Sequence, residues 1–422
     1  MTNSVTRRHF LKSMGAGLAA TACISKAPYV FAKQKVTLRV MGTHVTLQEE
    51  LRQLAMKELG FKIEFTPMGS AAVLQKAAAD PMSFDLYEQW SDSINILWQA
   101  EAIQPIDVDR LTYWDEINSL SKTGTLQPNG KIAAGDSPHK LLFVQPNQRL
   151  GSSPTKAISF LPYVHNVDSF GYNTQYISRG TSYETESWGW LLDDNYRGKV
   201  ALVNAPTIGI FDAALAVQAK GLMQFNNIGN MTIEEIDQLF SILLAKKREG
   251  HFAGFWTSVP QSVEFMKTDR VRIQSMFSPG VSSLKGQGVP VVYAAPKEGY
   301  RAWHGVMCMS KYTQGHVKDA AYDYMNWWLS GYPGAFIARQ GYYISNPQRS
   351  KPLMTQAEWD YWYEGKEAAT MLKGTDGNIA VQSGQTRDGG SYFKRFSNIA
   401  VWNTVMDNYD YSLDKWYELL NA

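Results

Sequence analysis

The sequence predicts an α/β fold made of two lobes. Two strand–helix–strand units, one starting near residue 36 and the other near residue 199, indicate parallel sheets flanked by helices. A middle segment, roughly residues 119–156, separates the two units; it is rich in Ser, Gly, Pro and Asn and has no sustained periodicity, so we expect a long surface excursion between the lobes. The 422 residues, of which 44% are hydrophobic and 13% aromatic, are enough to fill two globular cores.

The first unit is "KVTLRVMGTHVTLQEELRQLAMKELGFKIEF". Alternating apolar residues predict a strand over 36–40, apolar residues at helical spacing predict a helix over 47–59, and a second strand follows at 62–65. Thr46 with Glu49 three residues later predicts a capping box at the start of this helix.

The second unit repeats this order. Residues 199–203 are predicted to form a strand, 204–207 a turn and 208–219 a helix. Thr232 with Glu235 predicts another capping box, at the start of the next helix. Between the units, "ISFLPYVHNVDSFGYN" is an extended apolar run, as expected of a strand that passes from one lobe to the other.

The first thirty-two residues carry the pattern of an export signal. Arg7 and Arg8 match the twin-arginine signal, and an apolar run follows that is shorter than the roughly 20 residues needed to span a bilayer. We expect cleavage after Ala32. A cut before Cys23, which would leave a lipid anchor, is the alternative. The mature protein is therefore expected in the periplasm.

Composition excludes several classes of function. Loss of residues 1–32 removes four of the 41 basic residues and none of the 39 acidic residues, so the mature chain is slightly acidic and is not expected to bind nucleic acid. Of the two cysteines only Cys308 remains, which excludes an internal disulfide and a cysteine metal cluster. No hydrolase or phosphate-loop motif is present. We expect no catalytic residues, no cofactor and no metal.

Five segments, in order, resemble the periplasmic solute-binding proteins of ABC importers, particularly the spermidine/putrescine-binding type within extracellular solute-binding protein family 1. They are "SFDLYEQWSDSINILWQAEAIQPID", "LPYVHNVDSFGYN", "SWGWLLDDNYRGKVALV", "VPVVYAAPKEGYRAWHGVMCMS" and "AAYDYMNWWLSGYPGAFIARQGYYISN". The resemblance implies a type II-like two-lobe fold whose hinged lobes close over a ligand. Residues 33–164 with 306–345 would form the first lobe, and 165–305 with 346–422 the second.

Sequence and resemblance together suggest where the ligand binds. Ligands of open α/β sheets bind beyond the carboxyl ends of strands, where helices begin. The turns "GTHVT" and "NAPT" qualify on their own chemistry, and the resemblance adds aromatic and polar positions. The predicted ligand-binding residues are Thr43, His44, Trp90, Asp92, Asn204, Thr207, Phe277, Ser278 and Trp303.

The sequence departs from the polyamine-binding type at its acidic positions. Asn204-Ala205 and Gly305 stand where such proteins would have carboxylates for ammonium groups, and burying an unpaired ammonium is costly. Asp92, Glu88 and Asp212 are the remaining candidate acids. The predicted ligand is a small polar nitrogen-containing organic solute, either polyamine-like or zwitterionic. With His44 and His304 also expected near the site, a zwitterion or amide is favoured over a bare amine.

Three other functions remain open. An exported enzyme on the same scaffold could hydrolyse an amide or a sugar. Tyr342-Tyr343 resembles the tyrosine pair of ferric-ion-binding relatives. A sensory component could pass a ligand signal to a membrane receptor. We expect a monomer that binds a small molecule and works with a membrane ABC permease.

Overall fold

The computed structural model describes residues 36–422, so the predicted export signal and Cys23 lie outside the described residues. The strands are β1 Thr37–Gly42, β2 Lys62–Pro67, β3 Leu86–Trp90, β4 Ile103–Gln104, β5 Ile106–Asp107, β6 Phe143–Val144, β7 Leu150–Gly151, β8 Ala157–Ile158, β9 Leu161–Asn173, β10 Val200–Val203, β11 Phe252–Trp256, β12 Ile273–Met276, β13 Val291–Tyr293, β14 Tyr300–Ser310, β15 Tyr343–Ile344, β16 Leu372–Lys373, β17 Ile379–Val381 and β18 Ile399–Trp402.

The helices alternate with these strands along much of the chain. They are α1 Glu49–Leu59, α2 Ser70–Ala79, α3 Ile94–Gln99, α4 Ser119–Thr123, α5 Pro206–Ala219, α6 Ile233–Arg248, α7 Val259–Lys267, α8 Ser278–Gly286, α9 Gly315–Trp328, α10 Tyr332–Ala338, α11 Gln356–Trp362, α12 Tyr392–Phe396 and α13 Tyr409–Asn421.

One continuous sheet runs through both lobes in the order β11-β10-β12-β9-β14-β3-β1-β2. The first lobe contains the parallel strands β2, β1 and β3, and the second contains the parallel strands β11, β10 and β12. Between them, β9 and β14 run antiparallel to each other and to the strands at their sides. The α/β two-lobe prediction is therefore confirmed.

Strand β9 crosses between the lobes, as the extended apolar run predicts. Residues 161–168 pair with β14, and residues 169–173 pair with β12 and β13 of the second lobe. All thirteen residues of β9 are buried. A strand covered on both faces reads as a continuous apolar run, which is why the sequence shows no alternation here.

Three of the five hydrophobic clusters of the described residues show this division. The first core includes Leu86 and Val306, the second core includes Phe170 and Trp416, and the third, which we call the hinge core, packs α11 and α12 around the middle of β9 and β14. The tryptophan pair of α9, residues 327 and 328, is buried in the first core, as its helical spacing predicts.

The middle segment is less peripheral than the sequence suggests. Strands β6 and β7 of this segment join β5 and β8 in a small separate sheet, and Leu120 and Ala133 pack in the hinge core. Beside them the Trp402 backbone N–H donates to the Ala134 carbonyl over 2.8 Å. The prediction of a surface excursion is therefore wrong for the residues around Ala134, which contact strand β18.

The two predicted capping boxes have different outcomes. Thr232 and Glu235 form theirs at the start of α6. At α1 the prediction is wrong, because the helix begins at Glu49, and the Thr46 hydroxyl instead accepts a hydrogen bond from the Tyr163 hydroxyl at 3.0 Å. This tertiary bond holds the turn after β1 against the crossing strand β9.

Candidate ligand-binding cavity

A cavity of about 610 Å³ lies between the lobes, at the carboxyl ends of six parallel strands. Residues that directly follow β1, β2 and β3 line it from the first lobe, and residues that follow β10, β11 and β12 line it from the second. This is where open α/β sheets bind ligands, because chain reversals at strand ends leave side chains and backbone groups free. The volume suits a small organic molecule.

Eight of the nine predicted ligand-binding residues line this cavity. They are Thr43, His44, Trp90, Asp92, Asn204, Thr207, Phe277 and Trp303. Ser278 does not line it, because Phe277 is the last residue before α8 and Ser278 is the first residue of that helix. Ser278 instead lines a separate small cavity behind the helix start.

Aromatic side chains form one cluster on each lobe. On the first, the Trp90 and Trp303 ring centroids are 4.6 Å apart, and Tyr342 meets Trp303 edge-on at 5.4 Å. On the second, Trp256 and Phe277 pack edge-on at 5.1 Å. Trp90 and Trp303 therefore touch and make a single wall, so a slim ligand would lie between the two clusters rather than between these two rings.

Asp168, which sequence reasoning did not identify, lies at the base of the cavity. It is 2% exposed and accepts hydrogen bonds from Trp303 Nε1 at 2.8 Å and from the Tyr293 hydroxyl at 3.1 Å. Burial raises the pKa of its carboxyl to about 6, although the nearby Arg301 guanidinium lowers it. A lone acid within the apolar run of β9 was the signal available in the sequence.

Arg301 connects Asp168 to the interior of the second lobe. Its Nη2 lies 3.6 Å from Asp168 Oδ2, its Nε donates to Asp212 Oδ1 at 2.6 Å, and its Nη1 donates to Asn403 Oδ1 at 3.0 Å. Arg301 and Asp212 are fully buried. Asp212 therefore pairs with Arg301 rather than with a ligand, which corrects its expected role near the site.

Two further expectations about polar groups are wrong. Glu88 is buried beneath the turn after β1 and accepts a hydrogen bond from the Tyr163 hydroxyl at 2.8 Å, so it does not reach the cavity. His304 follows Trp303 on β14 and faces the opposite side of the sheet, where its Nε2 lies 2.8 Å from the Ser121 hydroxyl. Burial lowers the pKa of His304 to about 4.

The acids that do line the cavity carry little free negative charge. Burial raises the pKa of Asp92 to about 7, with a further contribution from nearby Asp136. The Asp168 carboxylate lies 3.6 Å from the Arg301 guanidinium, which offsets its charge. No lysine or arginine lines the cavity among the described residues. The binding surface is consequently apolar with a few polar groups, and lacks the several ionised carboxylates that a polyamine requires.

Helix N-termini also point to this cavity. Gly69 precedes α2, Ala205 precedes α5, Ser258 precedes α7 and Phe277 precedes α8, and all four line it. The first backbone N–H groups of a helix have no acceptor within the helix, and its macrodipole favours negative charge at this end. Pro206, Pro260 and Pro279 supply no N–H in the first turns of α5, α7 and α8. The second-lobe wall therefore offers an acceptor group the macrodipoles and the remaining donors, such as the Thr207 and Val259 N–H groups.

No metal centre accompanies the cavity in the described part of the chain. Among residues 36–422, no group of three or more His, Cys, Asp or Glu side chains is placed to hold a metal ion. Of the tyrosine pair, Tyr342 lines the cavity whereas Tyr343 is buried in the hinge core. Over the same residues, no helix is long and apolar enough to cross a membrane.

The chain belongs to the bacterial extracellular solute-binding protein family, whose model matches residues 51–361. A comparison with curated proteins finds none that matches. The family and the solved structures that resemble this chain are binding proteins of transporters rather than enzymes.

Solved structures share the fold at low sequence identity. The spermidine/putrescine ABC transporter substrate-binding protein PotD of Streptococcus pneumoniae is 14% identical with a TM-score of 0.61, over 91% of this chain and 97% of that one. The Tp0655 (TpPotD) lipoprotein of Treponema pallidum is 8% identical with a TM-score of 0.64, over 92% and 100%. AgtB of A. tumefaciens R10, solved with agropinic acid, is 12% identical with a TM-score of 0.58, over 92% and 99%.

Proposed function

We propose that this protein is the substrate-binding component of an ABC importer, and that it captures a small polar nitrogen-containing solute by closing its two lobes. The observation that carries the proposal is the cavity between the lobes, with an aromatic cluster on each side and helix N-termini at its second-lobe wall. Closure over a ligand gives the membrane permease a shape that differs between loaded and empty protein.

A zwitterion fits the cavity better than a polyamine does. A carboxylate would bind at the N-termini of helices α5 and α7, and an ammonium or quaternary amine would lie over Trp303 near Asp168. A diamine or triamine would need an ionised, unpaired acid at each end. Among the described residues the cavity acids are Asp92 and Asp168, whose pKa values are raised to about 7 and about 6, and Asp168 already lies 3.6 Å from the Arg301 guanidinium. Among the structural neighbours, PotD is named for polyamines and AgtB was solved with agropinic acid, so the shared fold accommodates both ligand classes.

The proposal also covers location and partners. We place the mature protein in the periplasm as a monomer, exported by the twin-arginine route, with Thr43, His44, Asn204 and Thr207 among the residues that contact the solute. We propose that the lobes divide within β9 and β14, close to the predicted boundaries between residues 164 and 165 and between residues 305 and 306. Residues 165–168 and 301–305, which pair in the sheet of the first lobe, would belong to that lobe, including Trp303.

A thermal-shift and calorimetry screen tests the ligand class. We would compare glycine betaine, amino acids, opines, putrescine and spermidine, since a ligand at 100 times its dissociation constant adds about 2.7 kcal/mol to stability. We expect a zwitterion to give the largest shift. A largest shift with spermidine or putrescine would contradict the zwitterion assignment but retain the transport proposal, whereas conversion of a ligand into a product would contradict transport.

Trp303 is expected to be essential for this binding. Trp303→Ala removes the centre of the first-lobe aromatic wall and leaves Asp168 without its 2.8 Å donor, so we expect most of the ligand-induced shift to be lost. Trp98→Ala is the matched control, because Trp98 lies outside the cavity and bonds the Gln148 carbonyl. Equal loss of binding in both variants, or full binding by Trp303→Ala, would locate the ligand elsewhere.

A further inference from the structure

A second, much smaller cavity lies behind the start of α8, between that helix and residues 361–395, which we call the C-terminal arm. Its volume is about 20 Å³. It is lined by Ser278 and Ser282 of α8, by Lys285, and by Arg387, Asp388 and Arg395 of the arm. None of its lining residues also lines the ligand-binding cavity.

The two arginines at this cavity are buried without a carboxylate partner among the described residues. Arg395 is 1% exposed; its Nη1 donates to the Tyr343 hydroxyl at 3.3 Å, its Nη2 donates to the Val167 carbonyl at 3.2 Å, and its Nε has no hydrogen-bond acceptor. Arg387 is 9% exposed and its Nε also has no acceptor. Its guanidinium stacks over Trp362, with 4.6 Å between Cζ and the ring centroid.

The one acid at the cavity is already neutralised. Asp388 accepts from Lys285 Nζ at 2.5 Å and from Arg179 Nη2 at 3.3 Å, and it also accepts the Tyr293 backbone N–H at 3.0 Å. Lys285, Arg387 and Arg395 therefore leave an excess of two positive charges around the cavity. Buried charges without counter-charges are strongly unfavourable, so this arrangement lacks an anion.

The start of α8 adds to the same positive potential. Ser278, Val281 and Ser282 line the cavity from the first turns of this nine-residue helix, where the macrodipole favours negative charge. The volume admits about one small occupant. A water molecule would fill that volume but would not offset the charge, and a sulfate or phosphate ion would be too large.

We propose that this cavity is a structural binding site for one small monovalent anion of halide size, held by Arg387 and Arg395. The anion joins α8 of the second lobe to the C-terminal arm. Tyr293 also lines this cavity, and its hydroxyl bonds Asp168 in the ligand-binding cavity, so occupancy supports the wall on which the ligand site is built. The site is independent of which solute the protein carries.

Unfolding in different anions tests the proposal on the mature protein. Sodium chloride, sodium bromide, sodium sulfate and sodium gluconate would be compared at one ionic strength. We expect chloride and bromide to raise the unfolding midpoint by a few degrees relative to gluconate, and we expect this rise to saturate with concentration as binding to a site does. Sulfate is excluded from protein surfaces and stabilises proteins without a site, so we expect its effect not to saturate. The absence of a saturable rise in chloride and bromide would overturn the proposal.

A pair of variants separates the site from general salt effects. Arg387→Met keeps the apolar stem and removes the charge, and we expect it to lose the halide dependence. Arg270→Met is the control, because Arg270 also stacks on a ring, that of Phe265 at 4.3 Å, but is exposed and does not line the cavity. Retained halide dependence in Arg387→Met would contradict the site.

Crystals of the unaltered protein grown in bromide give a test that does not depend on a variant folding. We expect an anomalous difference peak between the Arg387 and Arg395 guanidinium groups. Peaks confined to the protein surface would overturn the proposal. A peak in the cavity without any halide effect on the unfolding midpoint would show an adventitious ion only, and would also overturn it.

Discussion

At the scale of single residues, Asp92 is the cavity acid whose ionisation is the most costly. It is 5% exposed, it follows strand β3, and Asp136 contributes negative potential nearby. The pKa of its carboxyl is raised to about 7, compared with about 3.9 in an unfolded chain. At a pH between these two pKa values, the Asp92 carboxyl is protonated in the folded protein and ionised in the unfolded chain.

The sign of the resulting pH dependence follows from this difference. The stabilising contribution of protonated Asp92 is complete below about pH 4 and is lost as the pH rises towards 7. We predict that Asp92→Asn matches the original protein near pH 4 and is more stable at pH 8. One pKa unit corresponds to about 1.4 kcal/mol, so the difference should reach a few kcal/mol in urea unfolding.

Asp194→Asn provides the control for this measurement. Asp194 is exposed, and its hydrogen bonds with Lys246 and Arg197 lower the pKa of its carboxyl to about 2. Its contribution to stability changes only below about pH 4, so this variant should show no difference between pH 5 and pH 8. If Asp92→Asn changed the free energy of unfolding by the same amount at pH 4 and at pH 8, this would contradict the raised pKa of Asp92.

Single residues were predictable from sequence where local chemistry decides their position. Thr43 and Asn204 follow predicted strands, and chain reversal at the strand end carries each of them into the cavity. The positions of Asp168 and His304 were not predictable, because they depend on which face of a strand is turned to the cavity. A shift of one residue along a strand exchanges its faces, and only the tertiary register settles the choice.

At the scale of secondary structure elements, Arg301 is the junction of four of them. It lies on β14 opposite Asp168 of β9, it pairs with Asp212 of α5, and it bonds Asn403, which follows β18. Helix α5 begins at the cavity wall and β14 carries Trp303 into the cavity. The guanidinium thus holds the elements that line the cavity against one another.

We predict that Arg301→Met lowers the free energy of unfolding by about 3 to 5 kcal/mol, because it leaves the fully buried Asp212 carboxylate without its partner. Denaturant unfolding at neutral pH measures this loss. Arg110→Met is the matched control: Arg110 pairs with Asp319 at 2.8 Å, but both side chains are 38% exposed, and such pairs contribute less than about 1 kcal/mol. Similar losses in the two variants would show that the Asp212 carboxylate gains little from its buried partner.

Elements were predictable where periodicity is local and strong. The strand over 199–203, the helix that follows it and the capping box at Thr232 all appear in the structure. The helix after β1 instead starts two residues later than its apolar spacing indicates, because Thr46 is engaged by Tyr163 from a distant strand. A cap can be replaced by a tertiary hydrogen bond that no local pattern reveals.

At the scale of the whole molecule, the lobes share structure at several places. Strands β9 and β14 belong to the sheet of the first lobe, and β9 continues into that of the second. The β16–β17 hairpin adds a further link between the lobes. At its tip, Thr375 Oγ1 accepts a hydrogen bond from Gln340 Nε2 on the first-lobe side, and its strand β17 packs on α8 of the second lobe. The two-lobe division itself was predictable, but this degree of sharing was not, because it arises from pairing between distant segments.

This sharing predicts that the lobes unfold together. Disruption of either lobe removes partners from β9, whose thirteen buried residues serve both sheets, and so weakens the other lobe. We expect urea unfolding followed by far-ultraviolet circular dichroism and by tryptophan fluorescence to give coincident single transitions. Hydrogen exchange should show β1 to β3 and β10 to β12 opening at the same free energy. Two separated transitions, or one lobe exchanging well before the other, would instead show that β9 connects two independently stable domains.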